Sequence, residues 1–192
     1  MGAPYHAVCG GRTAAASEVW RSVGAPYLQG VSDQVPGSDR SYCDLSPRFR
    51  WDRSFTAAAL RDVFERYARQ YVAATTTSFG AVRDVRVSQT TGAGRVATLD
   101  VVTDGGTYQL IGNDIRLVLR GSSGDLLPST YFSLEPVVGR DGKLMQLLVH
   151  GRGNGHGVGM CQWGAIGRAR SGQDVRTILR AYFPSADLAR GS

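Results

Sequence analysis

Gly151-Arg-Gly-Asn-Gly-His-Gly-Val-Gly-Met-Cys-Gln-Trp-Gly-Ala165 is the stretch on which the reading of this chain turns. Its 15 positions hold six glycines with one guanidinium, one imidazole, one thiol, two amides and one indole. Glycine is favoured where backbone takes positive φ or passes close to another group. That density predicts a tight loop presenting Arg152, His156, Cys161 and Gln162 at a surface. A flexible linker is the plainer alternative, but linkers are rich in Gly and Ser and lack aromatic and sulfur residues.

Outward from the loop, the chain reads as strands in the middle and helices at the ends. Tyr131–Val138 and Lys143–His150 predict a hairpin turning at Gly139-Arg-Asp-Gly142, and its second strand runs straight into the glycines. Val85 and Val87, then Ala97, Leu99 and Val101, alternate with polar neighbours across a turn at Thr90–Gly94, and Tyr108–Ile111 predicts a third strand. Leu60, Val63, Phe64, Tyr67 and Tyr71 recur at helical spacing behind Ser54 or Thr56 as N-cap, which marks these aromatics as core. Shorter helices are predicted between Thr13 and Trp20, behind Asn113 or Asp114 through Ile115, Val118 and Leu119, and through Val175, Ile178, Leu179 and Tyr182 up to Pro184. Gly30–Pro47 reads as a polar loop. The fold class expected is α+β, a central antiparallel sheet with flanking helices and a Gly-rich active-site loop.

At 192 residues, 42% hydrophobic and 20% charged, the chain fits one domain with a sizeable core, residues 1–192. No apolar run reaches the length of a membrane span, and no period marks a repeat array. The net charge of +6 is almost wholly arginine, Lys143 being the one lysine. Arginine forks suit carboxylates and anionic polymers. The basic residues are scattered singly without any nucleic-acid-binding pattern, so solvated surface charge is the preferred reading and nucleic acid is not an expected partner.

The loop resembles the signature of the SpoIID/LytB family, bacterial proteins that act on peptidoglycan: Gly151, Gly153, Gly155, His156, Gly157 through Ala165 all fit it. The resemblance continues through Gly167, Ala169, Gly172, Ile178, Leu179, Tyr182, Phe183 and Pro184. Two further stretches agree in order, Tyr5-His-Ala-Val-Cys-Gly-Gly-Arg-Thr13 with Glu18-Val-Trp20 and Pro26-Tyr-Leu28, and Leu127-Pro-Ser-Thr-Tyr-Phe132. The resemblance implies a lytic transglycosylase that cleaves glycan strands, in its sporulation form strands stripped of stem peptides. Other members modulate a wall amidase. It also implies an exported protein of the cell envelope, whereas Met1-Gly-Ala-Pro-Tyr5 shows no signal peptide.

Transglycosylation needs one carboxyl group of raised pKa, which protonates the glycosidic oxygen and then takes the proton of the sugar's own hydroxyl. The family's catalytic Glu lies upstream of the His-x-x-Cys-Gly-Gly stretch, so the expectation is a domain lacking its N-terminal catalytic segment. The glutamates present are Glu18, Glu65 and Glu135, none well placed in the pattern. Arg152, His156, Cys161 and Gln162 then become substrate-binding residues of a glycan cleft, with a non-catalytic glycan-binding or amidase-enhancer module as the alternative. His156 could instead be a structural histidine bonded to backbone. Cys161 could be a nucleophile with His156 as base, a cysteine-peptidase reading, although a small packing or hydrogen-bonding role is preferred.

The resemblance further implies a zinc site in the His-x-x-Cys-Gly-Gly region. His6, Cys9 and Cys43 survive here, while Arg12 and Arg40 stand where the family has a ligating His and Cys. Asp39 or Asp44 would have to complete the four ligands that structural zinc takes. A Cys9–Cys43 disulfide or free buried thiols are the other two readings. The expected partners are peptidoglycan glycan strands and a wall amidase.

Overall fold

The computed structural model describes residues 2–20 and 25–187. They fall into two compact units, one split in sequence (Met1–Arg50 with Arg152–Ser192) and one continuous (Trp51–Gly151). In chain order the elements are β1 (Tyr5–His6), α1 (Ala16–Val19), β2 (Arg50–Thr56), α2 (Ala57–Tyr67), β3 (Val82–Thr90), β4 (Val96–Thr103) and β5 (Gly106–Ile111). They continue with α3 (Asp114–Val118), β6 (Phe132–Val138), β7 (Leu144–Arg152), β8 (Met160–Cys161), α4 (Gln162–Arg170) and α5 (Val175–Tyr182). The fold is α+β. The antiparallel sheet is divided in two, β3-β4-β5 and β2-β7-β6, and β1 and β8 form a separate parallel pair.

In the continuous unit the alternating valines act as the sequence foretells. β3 and β4 pair Val85 with Val101 and Val87 with Leu99, and β4 and β5 pair Leu99 with Leu110. The buried side chains of these strands, Val82, Val85, Leu99, Val101 and Leu110, join Leu60 and Phe64 of α2 and Leu147 and Val149 of β7 in one core. Each such side chain contributes roughly 1.5–3 kcal/mol on burial. Thr56 caps α2, its hydroxyl accepting the Ala59 N–H at 3.1 Å. Tyr71 falls past the end of α2, after a 3-10 turn at Ala68–Gln70, yet still packs against the core.

The predicted hairpin is β6 and β7, with Leu134 opposite Val149 and Pro136 opposite Leu147. Its turn closes through the Gly142 N–H to the Gly139 carbonyl at 3.0 Å. Asn113 takes the N-cap position of α3 without capping it; its side-chain oxygen accepts from Arg116 instead, at 3.1 Å. Strand β2 goes beyond what the sequence pattern predicts. Trp51 and Phe55 are its buried residues, four apart with charged neighbours, a pattern hidden behind the stronger helical signal that follows.

In the split unit α1 and α5 lie where the sequence puts them. The Asp174 carboxylate caps α5 by accepting the Thr177 N–H at 2.7 Å, and Ile178 and Tyr182 are buried. Helix α4 replaces the second half of the expected loop, since Gln162 to Ala165 are its first turn. No helix among the described residues is long and apolar enough to cross a membrane.

Candidate functional site

The glycine stretch forms a tight main-chain lattice. Gly153, Gly155, Gly157 and Gly159 all have positive φ, from 74° to 110°, the conformation that excludes most other residues. This lets the loop form a series of main-chain hydrogen bonds to the first 14 residues. Asn154 and Val8 exchange N–H to carbonyl bonds at 2.7 and 3.0 Å, Ala14 N–H reaches the Gly157 carbonyl at 2.8 Å, and Met160 N–H reaches Pro4 at 3.1 Å.

His156 belongs to that lattice. Its Nδ1 accepts the Val158 N–H at 3.1 Å, so Nε2 carries the proton and donates to the Tyr5 carbonyl at 3.1 Å. The ring lies against Trp20 and edge-on to His6, with centroids 5.2 and 5.6 Å apart. This is the geometry of the backbone-bonded histidine. His6 is buried, and its Nδ1 donates to the Val158 carbonyl at 3.1 Å. Arg152 and Gln162 are exposed, His156 is half-buried and Cys161 is fully buried. Of the four, Arg152 and Gln162 are therefore the two exposed to solvent.

Cys161 instead turns inward to the other two thiols. Sγ atoms of Cys9, Cys43 and Cys161 and a carboxylate oxygen of Asp33 all lie within 4.8 Å of one another, and all four residues have zero exposure. Cys9 Sγ is 3.3 Å from Cys43 Sγ and 3.4 Å from Asp33 Oδ2. Cys161 is the N-cap of α4, and its sulfur accepts N–H groups from Gly164 at 3.3 Å and Cys9 at 3.2 Å. Asp33 Oδ1 accepts from the Tyr182 hydroxyl at 2.6 Å and from Arg168 Nε at 3.2 Å. The Arg168 guanidinium lies over the Tyr42 and Tyr182 rings, at 4.3 and 5.2 Å.

These surroundings separate the acidities of the cluster. Burial pushes Cys9 well above the usual thiol value, helped by its bonds to Cys161 and Cys43. Cys43 rises mainly through its bond to Cys161. Burial also pushes Cys161 up, but hydrogen bonds from Cys43, from the Cys9 thiol and from the Cys9 N–H overturn this and bring it down to about 5. Asp33 is raised to about 6, chiefly by burial, with Tyr182 and Arg168 working against the rise. A buried Cys/Asp cluster of this kind could hold a metal.

The ligand set differs from the one expected. His6 is bonded elsewhere, Asp39 is exposed, and Asp44 is paired with Arg40 at 2.9 and 3.1 Å. Asp33 and Cys161 stand in their place. Asp33 sits in a polar loop where an acid reads as solvated, and its one signal is the alternation Val31, Asp33, Val35.

The glutamates all have local tasks. Glu18 accepts the Ala15 N–H at 3.0 Å ahead of α1. Glu65 accepts from the Ser78 hydroxyl at 2.6 Å and the Phe79 N–H at 2.7 Å, and these bonds hold its carboxyl below the usual value. Glu135 meets His150 Nε2 at 3.3 Å, while Nδ1 meets Asp52 at 2.6 Å. The continuous unit also bears an open groove of about 960 Å³ lined by Asp62, Arg66, Tyr67, Arg120 and Asp125 among others; none of the residues singled out from the sequence as binding groups lines it.

Comparison with known proteins adds three findings. The family described as Domain of unknown function (DUF8618) matches residues 40–159, a span that takes in Arg152 and His156 and stops short of Cys161. The chain is 29% identical over 184 residues to an uncharacterized protein of Brachyspira hyodysenteriae, covering 96% of this chain and 42% of that protein. It is 28% identical over 209 residues to a Bacillus subtilis protein named Amidase enhancer, covering 97% of this chain and 29% of that protein. The chain thus spans less than half the length of either relative.

Proposed function

The chain belongs to the family described as Domain of unknown function (DUF8618), and we propose that it serves as a non-catalytic cell-wall module of the SpoIID/LytB type, binding peptidoglycan glycan strands and supporting a wall amidase outside the cytoplasmic membrane. The observation that carries the non-catalytic reading is the disposition of its acids. Glu18, Glu65 and Glu135 are each taken up in local hydrogen bonds, and Asp33, the carboxyl raised to about 6, has zero exposure. A glycosidic oxygen has to reach its acid within hydrogen-bond distance, so a sealed carboxyl of suitable pKa does not serve. The similarity to the amidase enhancer, which takes in nearly all of this chain, supports the wall role.

The exposed pair Arg152 and Gln162 supplies what glycan binding asks for. A guanidinium fork suits a sugar carboxylate, and an amide can both donate to and accept from sugar hydroxyls. Cys161, by contrast, acts from below as the cap of α4. Cleavage of glycan by a longer protein that carries this module would, on this reading, draw its acid from another part of that protein.

The test is incubation of the purified chain with denuded glycan strands, followed by co-sedimentation and mass spectrometry for anhydro-muramyl ends. The expected result is retention of the chain with no anhydro product, and Arg152→Ala weakening retention by roughly 10–150-fold, one hydrogen bond to a charged group. Anhydro ends formed by this chain alone would refute the non-catalytic reading. Retention unchanged in an Arg152→Ala, Gln162→Ala double variant would remove these residues from the binding surface.

A further inference from the structure

Three thiols and one carboxylate converge at a sealed point in the split unit, and their arrangement is that of a coordination shell. Four donors around a tetrahedral zinc with metal–sulfur bonds of ~2.3 Å stand ~3.8 Å apart. Here Cys9 Sγ lies 3.3 Å from Cys43 Sγ and 3.4 Å from Asp33 Oδ2, and no pair of the four donors exceeds 4.8 Å. To reach that spacing, the longest separation has to close by no more than ~1 Å.

The groups behind the donors are arranged in the same sense. Tyr182 and Arg168 both bond Oδ1 of Asp33, which leaves Oδ2 aimed at the sulfurs. Cys161 Sγ is held by two backbone N–H groups, from Cys9 and Gly164. Partners of this kind orient ligands and spread their charge. Three thiolates, a carboxylate and a divalent ion sum to a net charge of about −2, which the Arg168 guanidinium and the N-terminus of α4 partly offset.

We propose that Cys9, Asp33, Cys43 and Cys161 ligate one thiophilic divalent cation of the zinc class as a structural site. All four residues are closed to solvent, so no position is left open for water and the ion does no chemistry. On binding, each protonated thiol releases its proton to solvent. His6 stays outside the shell, donating to the Val158 carbonyl. The site stands independently of glycan binding, and its test reads the metal directly.

The whole chain, purified under reducing conditions, is assayed for metal by mass spectrometry and then loaded with cobalt(II). The expected results are one zinc per chain and a cobalt spectrum with tetrahedral visible bands and sulfur charge-transfer absorption. Cys161→Ser lowers that charge-transfer intensity by about a third, one thiolate of three. Tyr182→Phe, which keeps every ligand but frees Oδ1, weakens cobalt binding by about tenfold. Failure of the reduced wild-type chain to take up stoichiometric zinc or cobalt would overturn the site. So would a cobalt spectrum unaffected by Cys161→Ser, or peptide mapping that finds Cys9 and Cys43 joined as a disulfide in the isolated protein.

Discussion

At the scale of single residues, His156 is held by main chain, whereas Arg152 is the residue proposed to meet glycan. Both ring nitrogens of His156 are occupied by main chain, so His156→Ala leaves the half-buried Val158 N–H and the Tyr5 carbonyl without their partner. The expected cost is about 1–3 kcal/mol, read as a lower urea midpoint. Arg152 is exposed, and Arg152→Ala is expected to weaken glycan retention. His150 supplies a dependence on pH. Its bond to Asp52, and after it the one to Glu135, raise its pKa above the ordinary value of 6.5. A raised folded-state pKa means that the stabilisation is fully present below the unfolded value and is lost as pH rises through the folded one. The difference in urea midpoint between wild type and His150→Ala should therefore be larger at pH 5.5 than at pH 9. Equal differences at the two pH values would remove His150 from the pH response. The sequence singles out His156 and Cys161 as chemical groups, but which way each faces depends on partners 151–154 residues away.

At the scale of elements, α4 shows what pattern reading misses. Gly164 and Gly167 lie inside it, each costing a helix roughly 1 kcal/mol relative to alanine. The structure gives the reason for both. A β-carbon at Gly164 would run into the Tyr182 hydroxyl and the Asp33 carboxylate, and one at Gly167 would run into the Tyr42 carbonyl. The bare backbone is what lets the helix seat against these groups, and the Cys161 cap and the Arg168 packing over two tyrosines then hold it. Gly164→Ala, a good helix former in isolation, is expected to destabilise the protein by ~1–3 kcal/mol in chemical unfolding, because the overpacking outweighs propensity. The meander β3-β4-β5, the hairpin β6-β7, α2 and α5 were legible because alternation, helical spacing and turn residues are local signals. The pair β1-β8 joins two residues to two others across more than 150 positions, and no window of sequence contains it.

At the scale of the whole molecule, one unit is written inside the sequence of the other. The stretch Trp51–Gly151 contains its own core, from Trp51 and Phe55 through Leu99 to Leu147 and Val149. Gly151, its last residue, has the Trp51 indole lying where a β-carbon would stand, so the two ends of this unit adjoin. A domain whose ends meet is suited to insertion. Residues 51–151 alone are expected to melt cooperatively by circular dichroism; a gradual, non-cooperative loss of signal would show that the unit depends on the rest of the chain. The same nesting sets a timetable during synthesis. Cys9, Asp33 and Cys43 leave the ribosome ahead of the inserted unit, and Cys161 leaves after it. At ~5–20 residues per second, the first three wait on the order of ten seconds for the fourth. Throughout that interval the stretch ahead of the inserted unit has its thiols uncovered, within reach of oxidants and proteases. A nascent chain arrested before Cys161 therefore leaves Cys9, Asp33 and Cys43 unburied, however well the middle has folded.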